Sequence, residues 1–115
     1  MHCSLIIIVL LCVAGQFSLV PSSVTSYFGR LVQFTCGVEA PGILTWEVDG
    51  IEARYLHTRN ITFYTETAVD AETSTLSIAA TTTNNNSEII CISSFINGQE
   101  IARTPSVFLY VQGVV

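Results

Sequence analysis

Lysine is absent from this sequence, and four scattered arginines (Arg30, Arg54, Arg59, Arg103) stand against nine acids for a formal net charge of −5. Nucleic-acid binding is disfavoured, because it needs clustered Lys and Arg to displace phosphate counterions. Anionic membrane surfaces are disfavoured on the same ground. A run long enough to span a bilayer is also missing: the apolar stretch from Leu5 to Gly15 meets Gln16 after about half of the ~20 residues required. Behind the short start Met1–Ser4, that stretch reads as the apolar region of a secretory signal peptide, with an uncleaved anchor or a buried strand as alternatives. Small residues Val13 and Gly15 place cleavage after Gly15, with Ala14 as the competitor, although no Lys or Arg precedes the run. The expected division is therefore a signal peptide at 1–15 and one domain at 16–115, exported to the extracellular space. Export removes Cys3 and Cys12 and leaves Cys36 and Cys91, an even pair expected to bond in an oxidising compartment. Closing that long loop is worth roughly 4 kcal/mol in the chain-entropy treatment.

Little remains for chemistry. His57 is the one histidine after the leader, and with both cysteines paired no second soft zinc ligand is left. Nothing resembles a nucleophile elbow or an oxyanion loop. The acid pairs Glu47/Asp49 and Asp70/Glu72 fall in or beside turns without the clustering calcium needs. The chain is expected to be no enzyme and to need no metal or cofactor.

What is present is a β pattern. Runs rich in Thr, Ser, Val and Ile alternate in and out and are broken by Gly, Asn, Asp or Pro every eight to twelve residues or so, the mark of an all-β sandwich or barrel. A Pro-containing lead, Leu19-Val20-Pro21, reads as an edge strand and is followed by a turn at Phe28-Gly29-Arg30. Val32, Phe34 and Cys36 then share one face of a strand, and Leu44, Trp46 and Val48 share one face of the next, after a short loop through Pro41-Gly42. Asp49-Gly50 suits a type I′ hairpin. The pattern is poorer from Ile51 to Asp70, with candidate strands at Ile51–Tyr55 and Ile61–Glu66. Further on, Ser74, Leu76 and Ile78 face one way, with Thr73, Thr75, Ser77 and Ala79 opposite. Thr81 to Ser87 reads as a solvated loop. Ile89, Cys91 and Ser93 share the next inward face, Asn97-Gly98 marks a second hairpin, and Val107, Leu109 and Val111 face away from Phe108 and Tyr110.

The order Cys36, Trp46, Cys91, with Leu76-Ser77-Ile78 ahead of the second cysteine, resembles the immunoglobulin-like superfamily over Val24 to Val111. The resemblance implies a two-sheet antiparallel Greek-key sandwich with one inter-sheet disulfide, Cys36–Cys91, packed on Trp46. The family's tyrosine two residues before the second cysteine is Ile89 here, so the tyrosine corner and its hydrogen bond are missing, although Asn85 can form a turn through its side-chain oxygen. The segment from Trp46 to Leu76 is shorter than variable-type domains generally need, which suggests a diverged intermediate-set or constant-2-like member.

Asn60-Ile61-Thr62 and Asn85-Asn86-Ser87 are acceptor sequences for N-glycosylation. Phe108 and Tyr110 are the candidate interface, on the sheet such domains commonly present to partners. The function the resemblance implies is recognition or adhesion, binding another protein or a glycan, as the first domain of a longer cell-surface receptor. A free secreted immune effector or decoy, or a structural spacer touching only neighbouring immunoglobulin-like or fibronectin-like domains, are the alternatives. No membrane insertion by the mature domain is expected.

Overall fold

A computed structural model describes residues 17–53, 55, 63–66 and 71–113. The expected signal peptide, with Cys3 and Cys12, lies outside the described residues, as do His57 and Asn60. The described residues form β1 (Phe17–Leu19), β2 (Val24–Tyr27), β3 (Leu31–Val48), β4 (Ile51–Glu52), β5 (Phe63–Glu66), β6 (Ala71–Ala79), β7 (Ser87–Ser94), β8 (Glu100–Arg103) and β9 (Val107–Gln112).

They build the two-sheet sandwich that the alternation demands. One sheet pairs β1, the first half of β3, β6 and β5, with Val32 opposite Ile78, Phe34 opposite Leu76 and Cys36 opposite Ser74. The other pairs β4, the second half of β3, β7 and β9, with Trp46 opposite Cys91 and Val48 opposite Ile89. The Pro41-Gly42 segment, expected as a loop, stays extended, so β3 passes from one sheet into the other as a single strand. The expected first strand is also corrected. Leu19-Val20-Pro21 is where β1 ends, and the chain then crosses sheets: β1 pairs with β3, whereas β2 runs parallel to β9. Pro21 explains the break, since it offers no N–H to a ladder. Among the described residues that β2–β9 pairing is the one parallel neighbour, and the other pairings are antiparallel.

Between the sheets lie Val32, Phe34, Leu44, Trp46, Val48, Leu76, Ile78, Ile89 and Leu109, all buried. The in/out parity read from the sequence therefore holds on β3, β6, β7 and β9. The two-residue hairpin after Val48 has positive φ at both Asp49 (54°) and Gly50 (81°), the I′ geometry that Asp-Gly favours. At the second hairpin Gly98 takes φ 93°, the Gly98 N–H donates to the Phe95 carbonyl, and the Phe95 N–H donates to the Gln99 carbonyl. This is a three-residue loop, Ile96-Asn97-Gly98, closed by a glycine bulge.

Candidate functional site

The sequence trio sits at the centre of the sandwich. Cys36 and Cys91 are disulfide-bonded across the sheets with Cα atoms 6.5 Å apart, and both are fully buried. Trp46 is buried beside Cys91 on the neighbouring strand, and its indole N–H donates to Ser74 Oγ at 2.9 Å. An indole N–H sealed in a core needs such a partner. The sequence placed Ser74 on the right face without revealing this role. These residues, with Leu76 and Ile78, are architectural.

The corner between β6 and β7 overturns the solvated-loop expectation for Thr81–Ser87. Asn84 is fully buried; its amide donates to the Ala79 carbonyl and its Oδ1 accepts the Thr81 N–H at 2.7 Å. The turn-forming asparagine is thus Asn84, one residue before the one expected. Asn85 instead reaches across to β9, where its Oδ1 accepts the Val111 N–H at 2.8 Å, and the Asn86 N–H donates to the Leu109 carbonyl at 2.7 Å. Side-chain amides do here the corner-fastening that the missing tyrosine does elsewhere in the family. Asp49 adds a clamp from the opposite hairpin, accepting from Ser87 Oγ at 2.9 Å and from the Glu88 N–H at 2.8 Å.

The surface with chemical character is the outer face of the β4–β3–β7–β9 sheet. Phe108 and Tyr110 stand on it as expected, their ring centroids 6.2 Å apart and nearly parallel; Phe108 is half-buried and Tyr110 exposed. Tyr27, on the parallel neighbour β2, extends this aromatic row and is exposed. Farther along the same face, residues from β3, β4, β7 and β8 line a concavity of about 410 Å³. Its floor holds Ile43, Thr45, Ile92 and Ser94, and Glu47, Glu52 and Glu100 stand around it. Ile92 and Ser94 are buried although they carry outward parity; β8 pairs alongside β7 there, with Arg103 opposite Ile92 and Glu100 opposite Ser94. Arg103 crosses this face, held by Glu100 through two hydrogen bonds (Nε to Oε2 at 2.9 Å, Nη2 to Oε1 at 2.8 Å), with Glu47 at 3.7 Å. The hydrogen bond from Arg103 holds the Glu100 carboxyl below the usual carboxylate range, and Glu100 in turn pushes the guanidinium pKa further up. The sequence reading missed this cluster. The only signal for it was shared outward parity: Glu47 with Thr45 on β3, Ile92 with Ser94 on β7.

Among the described residues no three His, Cys, Asp or Glu side chains come together as a metal site. No described helix is long and apolar enough to cross a membrane. Two sheets joined by a buried disulfide over a buried tryptophan, with the first strand divided between the sheets, define an immunoglobulin-like sandwich. No family model matches the sequence, and no curated protein does. Solved structures do. An immunoglobulin-like domain of human obscurin-like protein 1 is 14% identical with a TM-score of 0.66, over 89% of this chain and 88% of that one. The N-terminal Ig1-2 module of the Drosophila receptor protein tyrosine phosphatase DLAR is 16% identical with a TM-score of 0.63, over 84% of this chain and 47% of that one. An I-band fragment of titin is 28% identical with a TM-score of 0.61, over 86% of this chain and 32% of that one. The chain spans under half of these last two structures, and it is an immunoglobulin-like domain.

Proposed function

We propose that the domain is an extracellular recognition module that binds another protein through the outer face of the β3–β7–β9 sheet. The observation that carries this reading is the aromatic row of Tyr27, Phe108 and Tyr110 on the same face as a polar concavity. Exposed aromatics beside a shaped recess are what an interface core requires, since Tyr supplies contact area at low entropic cost. The buried disulfide holds that face rigid, which lowers the ordering cost of binding. A disulfide-bonded pair is also the chemistry of an exported chain, and the removed-leader reading of residues 1–15 belongs to the same proposal. So does glycan at Asn60 and Asn85. At Asn85 the side chain is exposed and uses Oδ1 toward Val111, a bond that attachment through Nδ2 leaves intact.

Adhesion within a longer receptor is the biological setting we favour; the likeness to a receptor phosphatase module supports it. A glycan ligand is the lesser form of the reading. The test is a binding screen of the disulfide-bonded domain, displayed as a multimer, against arrayed ectodomains. At least one partner is expected, with binding lost in Tyr27→Ala and Tyr110→Ala. A domain that binds nothing, or binds equally well after both changes, overturns the recognition reading.

One observation favours a spacer instead. Tyr27, Phe28 and Leu31 are exposed at the end of the sandwich where β9 finishes, and the Phe28 N–H donates to the Gln112 carbonyl there. An apolar patch at that end is where a following domain would rest. Under that reading Tyr110→Ala leaves all associations unchanged and only a tandem partner protects Phe28.

A further inference from the structure

We infer that Asn97 is a site of spontaneous covalent modification, its side-chain amide giving way to an aspartyl or isoaspartyl link at the tip of the β7–β8 hairpin. The step consumes only water. The main-chain nitrogen of Gly98, having lost its proton to solvent base, attacks Asn97 Cγ; the new C–N bond closes a succinimide ring, and Nδ2 leaves as ammonia. Water then opens the ring. Breaking the bond just formed leaves an aspartate in place of the asparagine, whereas breaking the original peptide bond leaves Gly98 joined through the side-chain carbon as an isoaspartate.

The hairpin supplies a polarised electrophile, access for solvent and an uncrowded nucleophile. Asn97 Oδ1 accepts the Gln99 N–H at 2.9 Å, a bond that draws charge from Cγ and stabilises the oxyanion formed on attack. Residues 95–99 are all exposed, so solvent base reaches the Gly98 N–H. Gly98 has φ 93°, and apart from its chain neighbours no atom lies within 4 Å of the place a Cβ would occupy, so nothing crowds the attacking nitrogen. One hydrogen bond holds the reaction back, from the Gly98 N–H to the Phe95 carbonyl at 2.8 Å. Local opening of the tip is the gate, and exposed loops open at little cost. The corner between β6 and β7 is the internal contrast. Asn84 is fully buried with both ends of its amide engaged, and the nitrogens placed to attack there, those of Asn85, Asn86 and Ser87, are held by the carbonyls of Thr82, Leu109 and Asn84. Each corner asparagine is also followed by a residue with a side chain, which crowds the ring. The two products differ in consequence. An aspartate keeps the acceptor for the Gln99 N–H, whereas an isoaspartate inserts a methylene into the main chain of a tight loop that the hydrogen bond between Phe95 and Gln99 closes. Phe95 and Ile96, exposed on that loop, are then presented differently, and because Gly98 lines the recess on the outer face, its rim changes with them.

The non-glycosylated, disulfide-bonded domain is incubated at body temperature in mildly alkaline buffer beside a synthetic peptide spanning residues 94–100. Both are followed by peptide mapping with fragmentation that separates aspartyl from isoaspartyl products. Asn97 should convert while Asn84, Asn85 and Asn86 stay intact, about fivefold more slowly than in the peptide, the weight of one hydrogen bond in an exposed turn. The rate should rise with pH, as loss of the Gly98 proton requires. In the isoaspartyl form the Phe95 amide should lose its protection from hydrogen exchange, whereas Asn97→Asp, which carries the charge without the methylene, should keep it. Conversion at the corner asparagines as fast as at Asn97, a domain that converts no more slowly than the peptide, or an Asn97 still intact when the peptide is spent overturns the proposal. Loss of Phe95 protection in Asn97→Asp overturns the role given to the methylene. No partner enters these measurements, so their outcome is separate from that of the ectodomain screen.

Discussion

Replacing Asn84 with alanine is the sharpest perturbation of the corner between β6 and β7. The side chain is fully buried and makes two bonds, donating to the Ala79 carbonyl and accepting from the Thr81 N–H. Alanine removes both partners and leaves two main-chain groups facing a small void where water fits poorly. A buried polar group left unsatisfied costs about 1–3 kcal/mol, and Thr81 is only partly buried, so a loss of about 2 kcal/mol is expected. For a domain of this size each kcal/mol moves the melting temperature by about 4–8 °C, which predicts a drop of about 10 °C. Asn84→Asp should do worse, because it keeps the acceptor but sets a buried carboxylate against the Ala79 carbonyl. The control is Asn85→Ala. Asn85 is exposed, so water can replace its bond to the Val111 N–H, and the cost should stay near 0.5–1 kcal/mol, about the net worth of one hydrogen bond. Trp46, the single tryptophan and a buried one, reports unfolding by its fluorescence in a urea titration of the oxidised domain. Asn84→Ala within 0.5 kcal/mol of the parent, or no worse than Asn85→Ala, would refute the view that Asn84 fastens this corner.

Converting Cys36 and Cys91 together to alanine should remove roughly 4 kcal/mol, given the 55-residue separation, and leave the domain largely unfolded at body temperature by circular dichroism; a cooperative melt close to that of the parent would contradict it. Ser74→Ala strands the indole N–H and should cost about 1–3 kcal/mol with a shifted Trp46 emission, whereas Ser74→Thr, which restores a hydroxyl, should recover part of that. Because the folded-state pKa of Glu100 is lowered, its contribution is fully present above the ordinary carboxylate range and lost as pH falls through the depressed folded value. Carboxyl NMR should show Glu100 titrating below the ordinary carboxylate range, and Arg103→Ala should raise it back toward that range; an unmoved Glu100 would sever the link to Arg103. Thr104→Val keeps shape but deletes the acceptor for the buried Cys91 N–H, and should destabilise by about 1–3 kcal/mol in the same urea assay.

The parts of this fold legible in the sequence are those governed by period-two alternation and by turn chemistry. Phe34, Leu44, Trp46, Ile78 and Leu109 declare their direction because a slip of one residue would expose all of them. Asp49-Gly50 declares its turn because few residue pairs accept positive φ twice. Neither rule reaches Asn84. In a run of three asparagines each is equally fit for a turn, and which one is buried depends on where β9 lies, a contact far away in sequence. The same limit hid the concavity. Ile92 and Ser94 carry outward parity, which normally means solvent, and their burial beside the β7–β8 pairing is not written in that parity. Glu47 and Arg103 become neighbours through two strand pairings, β3 with β7 and β7 with β8, so their distance in sequence says nothing of the 3.7 Å between them.

Thr104 connects the buried and the exposed halves of this domain. Its N–H donates to the Cys91 carbonyl at 2.9 Å and its hydroxyl accepts the Cys91 N–H at 3.0 Å, so one residue satisfies both main-chain groups of a disulfide cysteine. Pro105 follows and offers no N–H, which ends β8 and lets the chain resume as β9. Arg103, immediately before this anchor, is thereby fixed in register opposite Ile92, with its side chain on the outer face between Glu100 and Glu47. The disulfide thus orders more than the core. By fixing Cys91 it fixes Thr104, and by fixing Thr104 it sets where the Arg103 guanidinium can stand. A surface charge pattern held in this way keeps its shape before any partner arrives, and a rigid, preformed charge pattern discriminates among partners far better than mobile side chains do.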